Sequence, residues 1–121
     1  MTKDSIGQKY DLEERTAKFG EEVIKFCKTI RASSITRSLI DQIVRSSTSI
    51  GANYTEANGG SSRKDFRNKI HICKKEAQET QHWLRMIGAA LPDRKQELRI
   101  LWQEAHELVL IFQRITSSLR D

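Results

Sequence analysis

With 121 residues, of which 37% are hydrophobic and 31% charged, the chain is long enough to bury one continuous core and too short for two. One proline, and no linker or low-complexity run, excludes a largely disordered polypeptide. No charged-then-apolar leader opens the sequence and no apolar run approaches the ~20 residues that span a bilayer, so the expectation is a soluble, cytoplasmic protein without membrane contact.

Residues 1–10 show no periodic pattern and are expected to form a loose tail, ahead of a single domain over residues 11–121. Apolar and small side chains then recur in alternating steps of four and three, the spacing that keeps one stripe of a helix facing its neighbours. Leu12, Thr16, Phe19, Val23, Phe26 and Ile30 predict a first helix over about 12–31. Asp11 with Glu14 reads as a capping box at its start. Thr36, Ile40, Ile43, Ser47, Ile50, Tyr54 and Ala57 predict a second over about 35–58, capped by Ser34 and closed by a left-handed glycine of Asn58-Gly59-Gly60. Phe66, Ile70, Cys73, Ala77, Thr80, Leu84, Ile87 and Leu91 predict a third over about 62–91, capped by Ser61 or Ser62. Pro92 cannot continue it, and Asp93 with Gln96 opens a fourth over about 94–119, whose seam is Leu98, Leu101, Ala105, Leu108, Phe112, Ile115 and Leu119. Connections this short imply antiparallel neighbours, hence an all-α, up-down-up-down four-helix bundle.

Constellations that could carry chemistry are few. Ser46, Ser47, Ser49, Gly51 and Ala52 cluster in the second helix, but His71, His82 and His106 lie elsewhere, so close helix packing explains the cluster better than a nucleophile does. Glu79 and His82 supply half of a di-metal bundle motif, without a second Glu-x-x-His and off the core seam. Cys27 and Cys73 fall on or beside core seams and read as buried free thiols. No catalytic residue, metal site or cofactor is predicted, and the chain is not expected to be an enzyme.

The net charge of +5 is unevenly placed. Residues 59–91 hold seven basic and three acidic side chains, whereas residues 92–121 balance at five against five. At about 100° per residue, Arg63, Lys64, Arg67, His71, Lys74, Lys75, His82 and Arg85 share one third of the third helix's circumference, free of acidic residues. A solvated helix face ordinarily mixes signs, whereas unpaired cations strung along ~35 Å suit a track of phosphates. Arg63, Lys64, Arg67, His71, Lys74, Lys75 and Arg85 are therefore the candidate nucleic-acid contacts, with no arrangement for base readout. A second apolar row (Ile72, Trp83, Met86 and Ala90), with Ile100, Trp102, Val109 and Ile111 outside the fourth seam, predicts self-association, for which Ile72, Trp83, Met86, Ile100 and Trp102 are the interface candidates.

Two stretches also carry a resemblance. Arg45-Ser46-Ser47-Thr48-Ser49-Ile50-Gly51-Ala52-Asn53-Tyr54-Thr55-Glu56-Ala57 resembles the R-S-x-x-S-I-x-x-N-I-x-E-G segment of small four-helix-bundle proteins encoded in intervening sequences of bacterial large-subunit rRNA genes. Asp65-Phe66, Glu76-Ala77-x-Glu79-Thr80 and Trp83-Leu84 are similar to further segments of that family. The resemblance spans about Leu12 to Leu119. Ala57-Asn58-Gly59-Gly60 departs from the family's Glu-Gly ending, and His82 replaces an aromatic. What it implies is a non-enzymatic bundle that closes into a ring, a homopentamer, with distant relatives that bind nucleic acid and partner a reverse transcriptase. Carried over, Arg45, Ser49, Asn53, Glu56, Glu76, Glu79 and Trp83 occupy motif positions, with roles as hydrogen bonds between helices two and three. The function expected is phosphate-directed nucleic-acid binding by a homo-oligomer; the competing expectation is a scaffold that recruits a polymerase-type protein.

Overall fold

The structure, a computed structural model, describes residues 11–60 and 62–119. The tail expected over residues 1–10, and Ser61 as a cap, lie outside them. Four helices form: α1 (Leu12–Cys27), α2 (Ser34–Asn58), α3 (Arg63–Ala90) and α4 (Lys95–Ser118), with a 3-10 turn at Pro92–Arg94 before α4. The seams are buried as the spacing predicts; only Ile30, Ile40 and Leu91 among those positions are half-buried.

The helix ends differ from the sequence reading in ways that backbone geometry explains. Asp11 has φ 49°, ψ 47° and caps nothing with its side chain, because a capping residue needs extended backbone to turn its oxygen back onto the first N–H groups. α1 stops at Cys27 rather than near residue 31: Thr29 N–H bonds Phe26 O and Ile30 N–H bonds Cys27 O, tightening the chain into i−3 turns. Ser33, not Ser34, is the cap of α2, extended at φ −154° and accepting from Thr36 N–H at 3.0 Å. Ser62 caps α3 in the same way through Asp65 N–H. Gly59 stays right-handed at φ −85°, and α2 closes through Gly59 N–H to Thr55 O and Gly60 N–H to Ala57 O. A Cβ at Gly60 would sit 3.1 Å from Ala57 O, so glycine serves a close approach there and not a left-handed turn. The Asp93–Gln96 box does not form; Arg94 anchors the entry to α4 instead, its guanidinium 4.7 Å over the Phe26 ring and bonded to Thr29 Oγ1 and Glu97.

Packing explains the small residues of α2. A Cβ on Gly51 would meet Thr16 Oγ1 at 3.2 Å, and one on Gly20 would meet Thr48 at 3.6 Å, so α1 and α2 lie close together. Ser46 is fully buried and paired with Thr80 Oγ1 at 2.8 Å across the α2–α3 seam, and Ser47 bonds its own helix at Val44 O. The serines are packing and hydrogen-bonding elements. Cys27 and Cys73 are buried free thiols, pushed up by burial to about 11 and about 12 respectively. Val109 and Ile111, read from the sequence as surplus apolar groups, are buried at 9% and 6% exposure, so the core is wider than the seam alone.

Contacts between neighbours run in opposite sequence order: Thr16 and Gly20 meet Gly51 and Thr48, Arg45 and Glu56 meet Glu76 and Lys69, and Arg67 and Lys74 meet Thr116 and Gln113. Of the adjacent helices, α1 and α4 touch least, and Arg15 joins them through Glu104 at 2.8 Å and Glu107 at 2.7 Å. Phe112 is fully buried, so Phe112→Ala is expected to cost about 3–5 kcal/mol in urea unfolding. Ile35 is 65% exposed, and Ile35→Ser is expected to change stability by less than about 0.5 kcal/mol.

Candidate nucleic-acid interface

Burial of the α3 seam fixes the rotation of that helix, and its charges divide accordingly. The flank toward α2 is neutralised: Arg45 bridges Glu76 at 3.1 Å and also pairs with Glu79, while Lys69 meets Glu56 at 2.7 Å. Ser49 and Asn53 bond backbone within α2, at Arg45 O and Ser49 O, and not across to α3 as the resemblance led one to expect. The interhelical role belongs to Arg45, Glu56, Glu76 and Glu79.

The flank toward α4 is different. Arg63, Lys64, Lys75 and Arg85 are exposed, and Arg67, His71 and Lys74 are half-buried beside α4. Arg67 Nε donates to Thr116 O at 3.4 Å and Lys74 Nζ to Gln113 Oε1, both uncharged acceptors. Among the described residues, none of these six Lys and Arg side chains lies within ion-pair distance of a carboxylate. The row from Arg63 to Arg85 is about 33 Å long at 1.5 Å per residue.

α4 extends the same surface, which sequence reasoning missed. Lys95, Arg99, Trp102, His106 and Gln113 recur within about 60° of arc on α4, whereas Glu104 and Glu107 turn toward α1 and bind Arg15. A groove of about 520 Å³ between the helices is lined by Leu84, Arg85 and Gly88 from α3 and by Lys95, Leu98, Arg99, Trp102 and Gln103 from α4. The signal was present in the i, i+4, i+7, i+11 spacing, but the balanced total charge of the segment concealed it.

The five interface candidates are not brought into one patch. Ile72, Trp83 and Met86 share the side of α3 that carries Glu76 and Glu79. Ile100, 71% exposed, borders α1 beside Phe26 and Thr29, whereas Trp102 faces α3 in the basic groove. Glu79 and His82 are engaged separately, by Arg45 and by an edge-on contact with Trp83. Among the described residues no three His, Cys, Asp or Glu side chains are grouped so as to hold a metal ion, and no helix is long and apolar enough to cross a membrane.

The family profile of the 23S rRNA-intervening sequence proteins matches residues 8–90. The chain belongs to that family. A crystal structure of a protein of unknown function from the S23 ribosomal protein family of Bacteroides thetaiotaomicron is 28% identical, with TM-score 0.76 over 87% of this chain and 97% of that one. No match was found among curated proteins.

His71 reports on the field of this intervening-sequence protein's basic flank. Its pKa is lowered from the ordinary 6.5 by burial first, then by the charges of Arg67 and Lys74. Just below pH 6.5 the unfolded chain therefore binds more protons than the folded one, and the contribution of His71 to stability falls as pH is lowered through that interval. An NMR titration of the His71 ring is expected to give a midpoint below 6.5, and Lys74→Gln is expected to raise it. An unmoved midpoint in that variant would show that the flank exerts no appreciable field.

Proposed function

We propose that this is a non-enzymatic nucleic-acid-binding protein that holds phosphates along its α3–α4 face. The observation that carries the reading is the segregation of charge on α3. Carboxylates meet the cations on the α2 side, whereas among the described residues the acceptors that meet them on the α4 side are uncharged. Cations left without counter-charges release condensed ions when phosphates replace them, which favours binding and makes it salt-dependent. Membership of a family named for intervening sequences of 23S rRNA, and likeness to a protein of a family named for a ribosomal protein, give RNA as the natural polyanion.

The reading includes assembly. In an up-down-up-down bundle the α2–α3 side and the α1–α4 side are opposite, and each carries exposed or half-buried apolar groups. Ile72, Trp83 and Met86 occupy the first and Ile100 the second. Unlike patches on opposite sides suit head-to-tail association, which closes into a ring; the family resemblance gives five as the number of copies. Such contacts would leave the α3–α4 face of every subunit uncovered, so the ring would repeat the cationic surface and multiply its field.

Two experiments test these parts separately. Binding of a structured RNA, followed by anisotropy, is expected to weaken steeply with salt. Lys64→Gln with Lys75→Gln, both at exposed positions, is expected to reduce the log–log salt slope by about 0.7–0.9 for each phosphate no longer neutralised, while the fold is kept; a flat salt dependence would refute phosphate binding. For assembly, either Ile72→Glu or Ile100→Glu alone is expected to bring the sedimenting mass down to the 14.0 kDa subunit. Mixing the two variants restores one intact interface and should yield only roughly twice that mass, the signature of a heterologous contact.

A further inference from the structure

We propose that the groove between α3 and α4 receives an unpaired nucleotide of a single strand, its base against Trp102 and its neighbouring phosphates on Arg85, Lys95 and Arg99. This rests on the phosphate-binding reading and adds to it the form of nucleic acid preferred.

Beside two other grooves on the surface of the described residues, this one has the right chemistry. The α1–α2 groove is lined by Asp11, Glu13, Glu14 and Glu21, which repel a phosphate. The α1–α4 groove carries Glu22 and Glu97 against a single Lys25. The α3–α4 groove has three cations at its rim and no carboxylate in its lining. None of those three cations is in an ion pair among the described residues.

Its shape and its aromatic wall fit a base. Leu84 and Leu98 give an apolar floor, and the volume of about 520 Å³ is ample for one nucleobase. Gly88 keeps that floor open: its Cβ position is 3.7 Å from Leu98 Cδ1, so atoms beyond a Cβ would occupy the groove. Trp102 is 39% exposed and braced by His106, the rings 5.1 Å apart and within 13° of parallel. Trp102 lines the groove and His106 does not, so the ring surface offered to the groove is not the one His106 covers. A large indole left exposed between cations is the combination that single-strand binders use, an electrostatic track with a stacking platform. The interior base pairs of a duplex have no face to give to such a platform, because both faces are already stacked. The groove lies in line with Arg67 and Lys74, so a strand seated there continues onto the rest of the cationic flank.

The test compares a fluorescein-labelled oligo(dT) of about 12 nucleotides, within single-strand site sizes, with a mixed-sequence duplex of the same length. The single strand is expected to bind more tightly and to quench tryptophan emission, with Trp83→Phe used to isolate the signal of Trp102. Trp102→Ala is expected to weaken single-strand binding by about 5- to 100-fold and duplex binding by less than about twofold, and Trp102→Phe to recover most of the loss. Equal losses for both ligands, or no loss for either, would overturn the proposal while leaving phosphate binding intact. A drop in sedimenting mass for Trp102→Ala would also overturn it, by placing Trp102 between subunits. If neither ligand binds at low salt, the nucleic-acid reading itself falls, and this inference with it.

Discussion

Phe66, Ile70, Cys73, Ala77, Thr80, Leu84 and Ile87 can all be buried together in only one rotation of α3, and that rotation determines what every polar side chain of the helix can reach. It brings Thr80 onto Ser46, Glu76 and Glu79 onto Arg45, and Lys69 onto Glu56, so the α2–α3 seam is a wall of apolar packing with charge pairs along its edge. Those exposed pairs add little to stability, about 0–1 kcal/mol each. Their larger effect is on the distribution of charge. With Glu76 and Glu79 engaged on one flank, the other carries lysine, arginine and His71.

The same logic operates on α4, where a seam from Leu98 to Leu119 fixes the phase and Arg15 draws Glu104 and Glu107 toward α1. The carboxylates of the two helices are thus pulled to opposite sides of the bundle, and the groove between the helices is left cationic by exclusion. Charge here is sorted by which neighbour each carboxylate binds, and the net figure for either segment does not describe it.

This is why the fold was legible in the sequence and the site only in part. Heptad spacing is a local property, and it marked the core from Leu12 to Leu119 with few exceptions. The stripe on α3 was legible for the same reason, since one helix carries all of it. Trp102 was placed among interface groups because its partner across the groove, Arg85, is seventeen residues away on another helix; a helical wheel of α4 alone shows an aromatic among cations and does not show what it faces. Val109 and Ile111 misled in the opposite direction, since the width of a core depends on how closely helices approach, which is visible only in three dimensions. The caps failed where composition was right and backbone was not: Asp11 is left-handed, and Asp93 lies inside the 3-10 turn.

An uncompensated cationic flank works against folding, because like charges held along one helix face repel and the unfolded chain relieves that repulsion. His71 shares in it: its pKa is lowered by burial first and then by the charges of Arg67 and Lys74. A sequence shaped for stability alone would have placed a glutamate at Gln113, where an acceptor already faces α3, just as Glu76 and Glu79 face α2. Lys74 instead meets a neutral amide, which orients the ammonium without cancelling its charge. The full burial of Tyr54, Phe66 and Phe112 in the adjoining seams supplies the packing that tolerates this. Local rules broken against a core that otherwise obeys them are where function is to be sought, and the surface that α3 and α4 share is such a break.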